Sequence, residues 1–251
     1  MNSKIMIGVV MTLLGAPLTW AETETREVDE FDAVNFALPF SVEFVVSDEP
    51  FVTLEGDEDT IEEITTKVRG GTLKITKDSD WFDWSDEEVH VTIGYQNLSS
   101  ITLAGSGDGY AKDMEADKLT LRITGSAGLE LDNLTCNDLE ISIAGSGNVN
   151  INDLEADSIS TRIAGSGDVE VTGRVVSQKI SIAGSGDLNA RELRAQETEV
   201  NIKGSGDVEV WTIASLDANV MGSGDIEYYG DPKVRERIRG SGNLERRGEE
   251  P

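Results

Sequence analysis

The residues whose type and spacing best suit chemistry in this chain are aspartates that recur at one position of a repeat. Each one directly follows a Gly-Ser-Gly tripeptide; they are Asp108, Asp168, Asp187, Asp207 and Asp225. Two further copies carry Asn148 and Asn243 at the same position. In coils stacked about 4.8 Å apart, neighbouring carboxylates would repel each other by roughly 0.9 kcal/mol in water. These carboxylates therefore need a compensating partner.

Two kinds of partner are open for these aspartates. Backbone amides of the same corner would hold each carboxylate as in an Asx turn, a role that asparagine also fulfils. Calcium would hold them as in nonapeptide β-rolls, although this chain has one glycine corner per coil rather than two. Asn148 and Asn243 favour the turn, because a charge-driven metal site prefers aspartate. We therefore predict no bound cofactor, with calcium as the alternative.

A second candidate site is the acidic and aromatic segment 77–88, which lies between two predicted strands. It contains Trp81, Phe82 and Trp84 among aspartates and glutamates. Such a loop suits contact with a surface glycan or a protein partner. The alternative is that the aromatic side chains fold back and cover an open edge of the sheet, since exposed aromatic clusters without a partner are uncommon. We favour the covering role.

Constellations for catalysis are scarce. His90 is the only histidine, so a Ser-His-Asp or Cys-His arrangement would have to centre on it, and its alternating strand predicts an ordinary surface side chain. Cys136 is the only cysteine, which excludes an intramolecular disulfide and the usual zinc sites and predicts a buried side chain. Glycoside cleavage needs carboxylates where the repeat departs from regularity. We predict that the protein is not an enzyme, with a carbohydrate-active β-helix enzyme as the minor alternative.

The Gly-Ser-Gly corner is the strongest pattern in the chain. From one copy to the next its first glycine advances by 20, 20, 20, 19, 20, 18 and 18 residues. These glycines are Gly105, Gly125, Gly145, Gly165, Gly184, Gly204, Gly222 and Gly240. A near-constant period of this length is typical of stacked structural repeats.

Apolar and polar residues alternate on both sides of each corner. The residue two before the first glycine is aliphatic in every copy, as in Ile143 and Ile163. A third, weaker apolar column comprises Met114, Leu134, Leu154, Leu193 and Ile213. A period of two marks strands with one buried face, and only stacked coils can bury such faces. We predict an all-β fold, a parallel β-solenoid with about eight coils of 18–20 residues over 101–245.

Residues 24–100 form a β-rich section that precedes the repeat. The best strand candidates are 41–46, 51–54, 71–75 and 89–93, and a short helix is predicted over 59–68 with Ile61, Ile64 and Val68 on one side. The last of these strands runs directly into the first coil. We therefore expect residues 22–251 to form one domain.

Residues 1–21 have the pattern of a secretory signal peptide. Lys4 precedes the short apolar run from Ile5 to Leu14, and Ala21 ends a plausible cleavage site. No cysteine directly follows that site, so a lipid anchor is not expected. The formal net charge of −27 would repel nucleic acid and anionic lipid. We predict export to the periplasm, the cell surface or the medium, without stable membrane insertion.

The chain resembles the putative auto-transporter adhesin, head GIN domain family over about residues 25–245. The resemblance rests on the opening Val28-Asp-Glu-Phe31-Asp-Ala-Val34, the strand Gly71-Thr-Leu73-Lys-Ile75 and the iterated Ile-Ala-Gly-Ser-Gly-Asp. It implies a right-handed, single-stranded parallel β-helix at the surface or in the envelope, and it supplies no catalytic residues. The predicted function is thus an exported, non-enzymatic, adhesin-like scaffold. A calcium-stabilised secreted solenoid is the main alternative.

Overall fold

The computed structural model describes residues 22–77 and 89–251. They form one short helix and seventeen strands, and the strands pair in a single sheet. The section before the repeat contains β1 (Glu22–Glu27), β2 (Ala33–Phe36), β3 (Ser41–Val46), β4 (Phe51–Gly56), α1 (Glu58–Glu63), β5 (Ile64–Arg69), β6 (Thr72–Lys77), β7 (His90–Tyr95) and β8 (Ser100–Gly105). The repeat contains β9 (Gly109–Gly125), β10 (Gly128–Gly145), β11 (Asn148–Gly165), β12 (Val169–Gly184), β13 (Leu188–Gly204), β14 (Val208–Gly222), β15 (Ile226–Tyr229), β16 (Lys233–Gly240) and β17 (Leu244–Gly248). The predicted signal peptide lies outside the described residues, as do Trp81, Phe82 and Trp84.

Each long strand of the repeat bends twice, so that one strand supplies three flat faces. In β10 the pairing with the next coil skips Asp132 and Asn137, and the alternation of buried residues changes phase at both places. We call residues 138–145 the first face, 128–131 the second face and 133–136 the third face, and use the same names for the aligned residues of other coils. Three short faces around one interior give the cross-section that the sequence predicts.

The coils stack by parallel pairing in register. Gly145 pairs with Gly125 on one side and with Gly165 on the other, and Ile143 likewise pairs with Ile123 and Ile163. The stack makes a β-solenoid of about seven turns, which confirms the predicted fold class.

Glycine is required at the corner because two coils approach closely there. Gly165 has φ +139°, and a Cβ atom added to it would lie 2.1 Å from the carbonyl oxygen of Gly145. That oxygen accepts a hydrogen bond of 2.9 Å from the Ser166 amide. A side chain at Gly165 would therefore meet backbone atoms that are held in place by hydrogen bonds.

The apolar columns predicted from the repeat form the core. Ile143 and Ile163 are each 1% exposed. The third column departs from the prediction in its last member, because Thr212 is buried whereas Ile213 is only partly buried. The coil containing β14 is shortened, and its register shifts to pair Thr212 with Ala195. The last coil is open, since Glu236 stands exposed in an otherwise buried column.

The N-terminal section extends two faces of the solenoid beyond its first coil. On the second face, β9 is followed by β3, β7, β4 and β1; on the first face, it is followed by β8, β2, β6 and β5. The predicted strands are confirmed, with bounds that differ by one or two residues. The predicted helix over 59–68 is correct only in its first turn. The β-branched run that starts at Ile64 favours a strand, and β5 pairs with β6 through a Gly70-Gly71 turn.

Arg26 links several elements at the N-terminal end of the solenoid. Its guanidinium donates to the carbonyl oxygens of Ile61 and Ile64 and to the hydroxyl of Thr66, at 2.5 to 3.0 Å. The same guanidinium pairs with Glu24 at 2.8 Å. One half-buried side chain of β1 therefore ties α1 and β5 together.

Candidate functional site

The recurring aspartates form one exposed column at the glycine corner, and they bind the backbone of the next coil. The carboxylate of Asp168 accepts a hydrogen bond of 3.0 Å from the Asp187 amide. Asp187 accepts in the same way from Asp207, and Asp207 from Asp225, each at 2.7 Å. The predicted partner, an amide of the same corner, is therefore wrong. We call this column, which runs from Asp108 to Asn243, the corner ladder.

Two positions of the corner ladder show what its side chains do. Asn148 accepts from the Asp168 amide at 3.1 Å, so that an amide oxygen serves as well as a carboxylate. Gly128 has no side chain to offer, and the Asn148 amide donates instead to the carbonyl oxygen of Ala127 at 3.1 Å. The ladder thus supplies acceptors for corner amides and does not depend on charge.

Metal binding by the corner ladder finds no support in the geometry. Within residues 22–77 and 89–251, no group of three or more His, Cys, Asp or Glu side chains is arranged to hold a metal ion. Calcium stays the alternative to the predicted absence of a cofactor.

A concave groove of about 1030 Å³ lies on the third face. It crosses five coils parallel to the solenoid axis. Its floor consists of small or branched residues at one position of the first four of these coils, namely Ala116, Cys136, Ala156 and Val175. One wall contains Glu115, Thr135, Glu155, Arg174 and Arg194. The other wall contains Asp117, Asn137, Asp157, Val176 and Gln196.

The charge of this third-face groove changes along its length. Carboxylates line the half nearer the N-terminal section, and arginines line the other half. Glu155 and Arg174 meet where the two halves join, at 2.7 Å. Two exposed valines also line the groove, Val46 at 67% beside the N-terminal section and Val176 at 55% in the fourth coil. The groove therefore offers hydrogen-bonding groups along its walls and apolar contact at two places.

A recess of about 370 Å³ adjoins the basic end of the groove. The guanidinium of Arg194 lies 5.9 Å from the ring centre of Trp211, within the range of a cation–π contact. Gly173 lines the same recess at a place where the register of the coils shifts. The repeat is thus irregular at this end of the groove.

Two buried groups of the groove hold their protons tightly. Burial and, to a lesser extent, the nearby charge of Asp138 raise the pKa of the Cys136 thiol to about 11. Burial and, to a lesser extent, the charge of Asp113 raise the pKa of the Tyr95 hydroxyl to about 12. Cys136 is 6% exposed, as the sequence predicts, and near neutral pH its thiol is protonated and a weak nucleophile.

His90 does meet a hydroxyl and a carboxylate, but on an open surface. Its Nδ1 lies 3.0 Å from the Ser41 hydroxyl, and its Nε2 lies 3.9 Å from Glu43. The His90 and Glu43 side chains are 50% and 41% exposed. None of the three residues lines the third-face groove or the recess beside it. This trio has the elements of a Ser-His-acid arrangement, and it lies on an exposed part of the described surface.

The groove is a feature that the sequence prediction missed. Two signals pointed to it: the small residues Ala116 and Ala156 recur two positions after the third apolar column, and the coil steps shorten after Gly165. The aromatic candidates Trp81, Phe82 and Trp84 lie outside the described residues, and their role stays a prediction.

The parallel stack of coils with a polar groove along one face defines this protein as a β-solenoid. The chain belongs to the putative auto-transporter adhesin, head GIN domain family, whose model matches residues 30–232. A comparison with curated proteins finds no match. No helix in the described parts of the chain has the length and apolar character needed to cross a bilayer.

Solved structures share this fold along most of the chain. A putative lipid binding protein from Parabacteroides distasonis is 31% identical, with a TM-score of 0.85 over 90% of this chain and 96% of that one. A putative adhesin from Parabacteroides merdae is 21% identical, with a TM-score of 0.86 over 91% and 96% of the two chains. A putative adhesin from Parabacteroides distasonis is 24% identical, with a TM-score of 0.79 over 90% and 97%.

Proposed function

We propose that this chain is an exported, non-enzymatic scaffold of the cell envelope or surface that binds an extended glycan strand in its third-face groove. The observation that carries the proposal is the groove itself, which runs across five coils and is lined by aligned positions of each coil. A linear ligand that lies along the solenoid axis would meet the wall residues of successive coils at intervals of about 4.8 Å.

The lining favours a hydrophilic ligand. Glu115, Asp117 and Asp157 would be costly to cover with an acyl chain, because buried carboxylates need hydrogen-bonding partners. A glycan supplies such partners through its hydroxyl groups. One relative is described as a putative lipid binding protein, and the carboxylates of this groove argue for a different ligand here.

The groove supports binding rather than catalysis. Its thiol, Cys136, is protonated near neutral pH, and the hydroxyl-imidazole-carboxylate trio around His90 lies elsewhere on an open surface. Family membership supports a surface or exported location, and the apolar run of residues 1–21 supplies a route for export. The continuous sheet from β1 to β17 supports one domain over residues 22–251.

An array of immobilised linear oligosaccharides tests the binding role. We expect the wild-type protein to bind at least one of them, and Asn137→Trp, which fills the groove from one wall, to abolish that binding. Asp138→Trp is the matched control, since the neighbouring Asp138 is exposed and does not line the groove. Equal binding by both variants, or no binding by the wild-type protein, would contradict the proposal.

Export is tested separately by fractionation of the native cells and N-terminal sequencing. The mature protein is expected outside the cytoplasm, and its sequence is expected to begin at Glu22. A cytoplasmic protein that retains residues 1–21 would contradict this part of the proposal without affecting the groove.

A further inference from the structure

The last coil leaves a row of cations without counter-ions. Four basic side chains alternate along β16 and are exposed; they are Lys233, Arg235, Arg237 and Arg239. None of them makes an ion pair with a carboxylate in the described residues, although the chain has a formal net charge of −27. By contrast, the cations of β17 are paired, Arg247 with Glu227 and Glu245, and Arg246 with Asp231.

The β16 strand is also an open edge of the sheet. It pairs with β14 on one side, and no described strand pairs with its other side. Val234 is 37% exposed and Ile238 is only partly buried, so the apolar interior is accessible at this end. Basic side chains on an edge strand prevent two such edges from pairing with each other. They leave the edge open to an acidic partner.

The opposite end of the solenoid has the complementary charge. Glu58, Asp59 and Glu62 of α1 are exposed, and Glu22 of β1 lies beside them. Partial burial and, to a lesser extent, the charges of Glu58, Glu24 and Glu62 raise the pKa of the Glu22 carboxyl. Glu24 is neutralised by Arg26, but no described cation pairs with Glu22, Glu58, Asp59 or Glu62.

We propose that the β16 edge is a docking surface for the acidic α1 end of a second copy, so that the solenoids join head to tail. Such a contact is heterologous and does not close on itself, and it therefore builds short chains of solenoids. The exposed Lys67 and Arg69 of β5 would repel β16, which places α1 and β1 opposite the basic row. This inference does not rest on the proposed glycan binding.

The ionic strength sets when this contact can form. At about 0.15 M salt the screening length is about 8 Å, so that the negative bodies of two solenoids largely cease to repel while groups in contact still attract. At about 1 M salt the screening length falls to about 3 Å, and the contact itself weakens. We expect the mean mass of the wild-type protein to rise with concentration at the lower salt and to return to that of the monomer at the higher salt.

Two variants, each defective at one end, test the direction of the contact by light scattering and sedimentation. The tail variant is Lys233→Gln with Arg237→Gln, and the head variant is Glu58→Gln with Glu62→Gln, so that neither variant gains a new charge at its altered end. Each variant alone is expected to be monomeric. An equimolar mixture retains one intact tail and one intact head, and it should form dimers and nothing larger.

A matched control for the tail is Lys118→Gln with Arg122→Gln. Lys118 and Lys233 belong to the same column of the first face, as do Arg122 and Arg237, so that the two variants differ in position and not in charge. The control should assemble like the wild-type protein.

Several outcomes would overturn the proposal. A wild-type protein that stays monomeric at every concentration, a variant mixture without dimers, or a control that also loses assembly would each do so. Binding to vesicles of phosphatidylglycerol tests the alternative partner, an anionic lipid surface. A monomeric wild-type protein that binds these vesicles through Lys233 and Arg237 would assign the β16 edge to a lipid surface instead.

Discussion

The carboxylate of Asp187 accepts a hydrogen bond of 2.7 Å from the backbone amide of Asp207, which lies 20 residues further along the chain and one coil away. A corner amide that faced only other backbone groups would have to find a carbonyl oxygen, as Asn148 does with Ala127. The aspartate side chain therefore acts as a link between coils. This link offsets the repulsion between like charges that the spacing of the coils imposes.

Substitution of Asp187 separates hydrogen bonding from charge. Asp187→Ala removes the acceptor of the Asp207 amide and should lower the free energy of unfolding by about 1–3 kcal/mol. Asp187→Asn keeps an acceptor oxygen, as Asn148 shows, and removes one of a column of like charges, so its stability should equal or exceed that of the wild type. Urea unfolding of both variants measures the difference. Equal losses in both would mean that the charge, rather than the acceptor, matters.

Calcium should change the stability little. If the corner ladder only accepts hydrogen bonds from amides, millimolar calcium should shift the melting temperature by no more than about two degrees. Specific binding at a concentration 100 times the dissociation constant would instead add about 2.7 kcal/mol and give a larger shift. Thermal melts with calcium, with magnesium and with a chelator provide the comparison. A large and saturable shift with calcium alone would restore the calcium-stabilised alternative.

The inward column is tested by two neighbouring positions of β10. Ile143→Asp places an unpaired charge in the apolar interior and should cost more than about 4 kcal/mol, or prevent folding. Ala144→Asp, at the exposed residue that follows, should change stability by less than about 0.5 kcal/mol. Circular dichroism during thermal unfolding gives both values. Similar melting temperatures for the two variants would refute the inward assignment of Ile143.

Two glycines with positive φ differ in what surrounds them. Gly70→Ala imposes only backbone strain, about 1–2 kcal/mol, because nothing lies within 4 Å of the added Cβ atom. Gly165→Ala adds a contact of 2.1 Å with the Gly145 carbonyl oxygen, and it should cost at least twice as much. Chemical denaturation of the two variants tests this ranking. Equal losses would show that the corner can widen to admit a methyl group.

Stability should fall at alkaline pH. The ordinary pKa values of a cysteine and a tyrosine are 9.0 and 10.0, whereas burial raises those of Cys136 and Tyr95 to about 11 and about 12. The unfolded chain therefore loses these protons first. The stability that these two groups contribute is fully present below about pH 9 and declines as the pH rises toward 11 and 12. Denaturation midpoints across this range measure the decline. Cys136→Ala should make it shallower, and an unchanged slope would exclude a contribution from the thiol.

Much of the fold was determined by the sequence alone. The alternation around Ile143 and Ile163, repeated at near-constant spacing, is a local pattern with one structural solution, a stack of strands that share an interior. Gly165 and its equivalents mark the corners because no other residue adopts their backbone angles beside a neighbouring coil. These features follow from residues close together in the chain, and their prediction was confirmed.

Other features were decided by contacts between coils. The amide partner of Asp187 belongs to the next coil, Thr212 replaces Ile213 in the interior because a shortened coil shifts its register, and β5 forms where a longer helix was predicted because β6 pairs with it. The third-face groove is the clearest case. Its walls come from separate coils, and the bends at Asp132 and Asn137 set which residues reach them. A local pattern determines which residues turn inward, but only the stacking of the coils determines which outward residues meet.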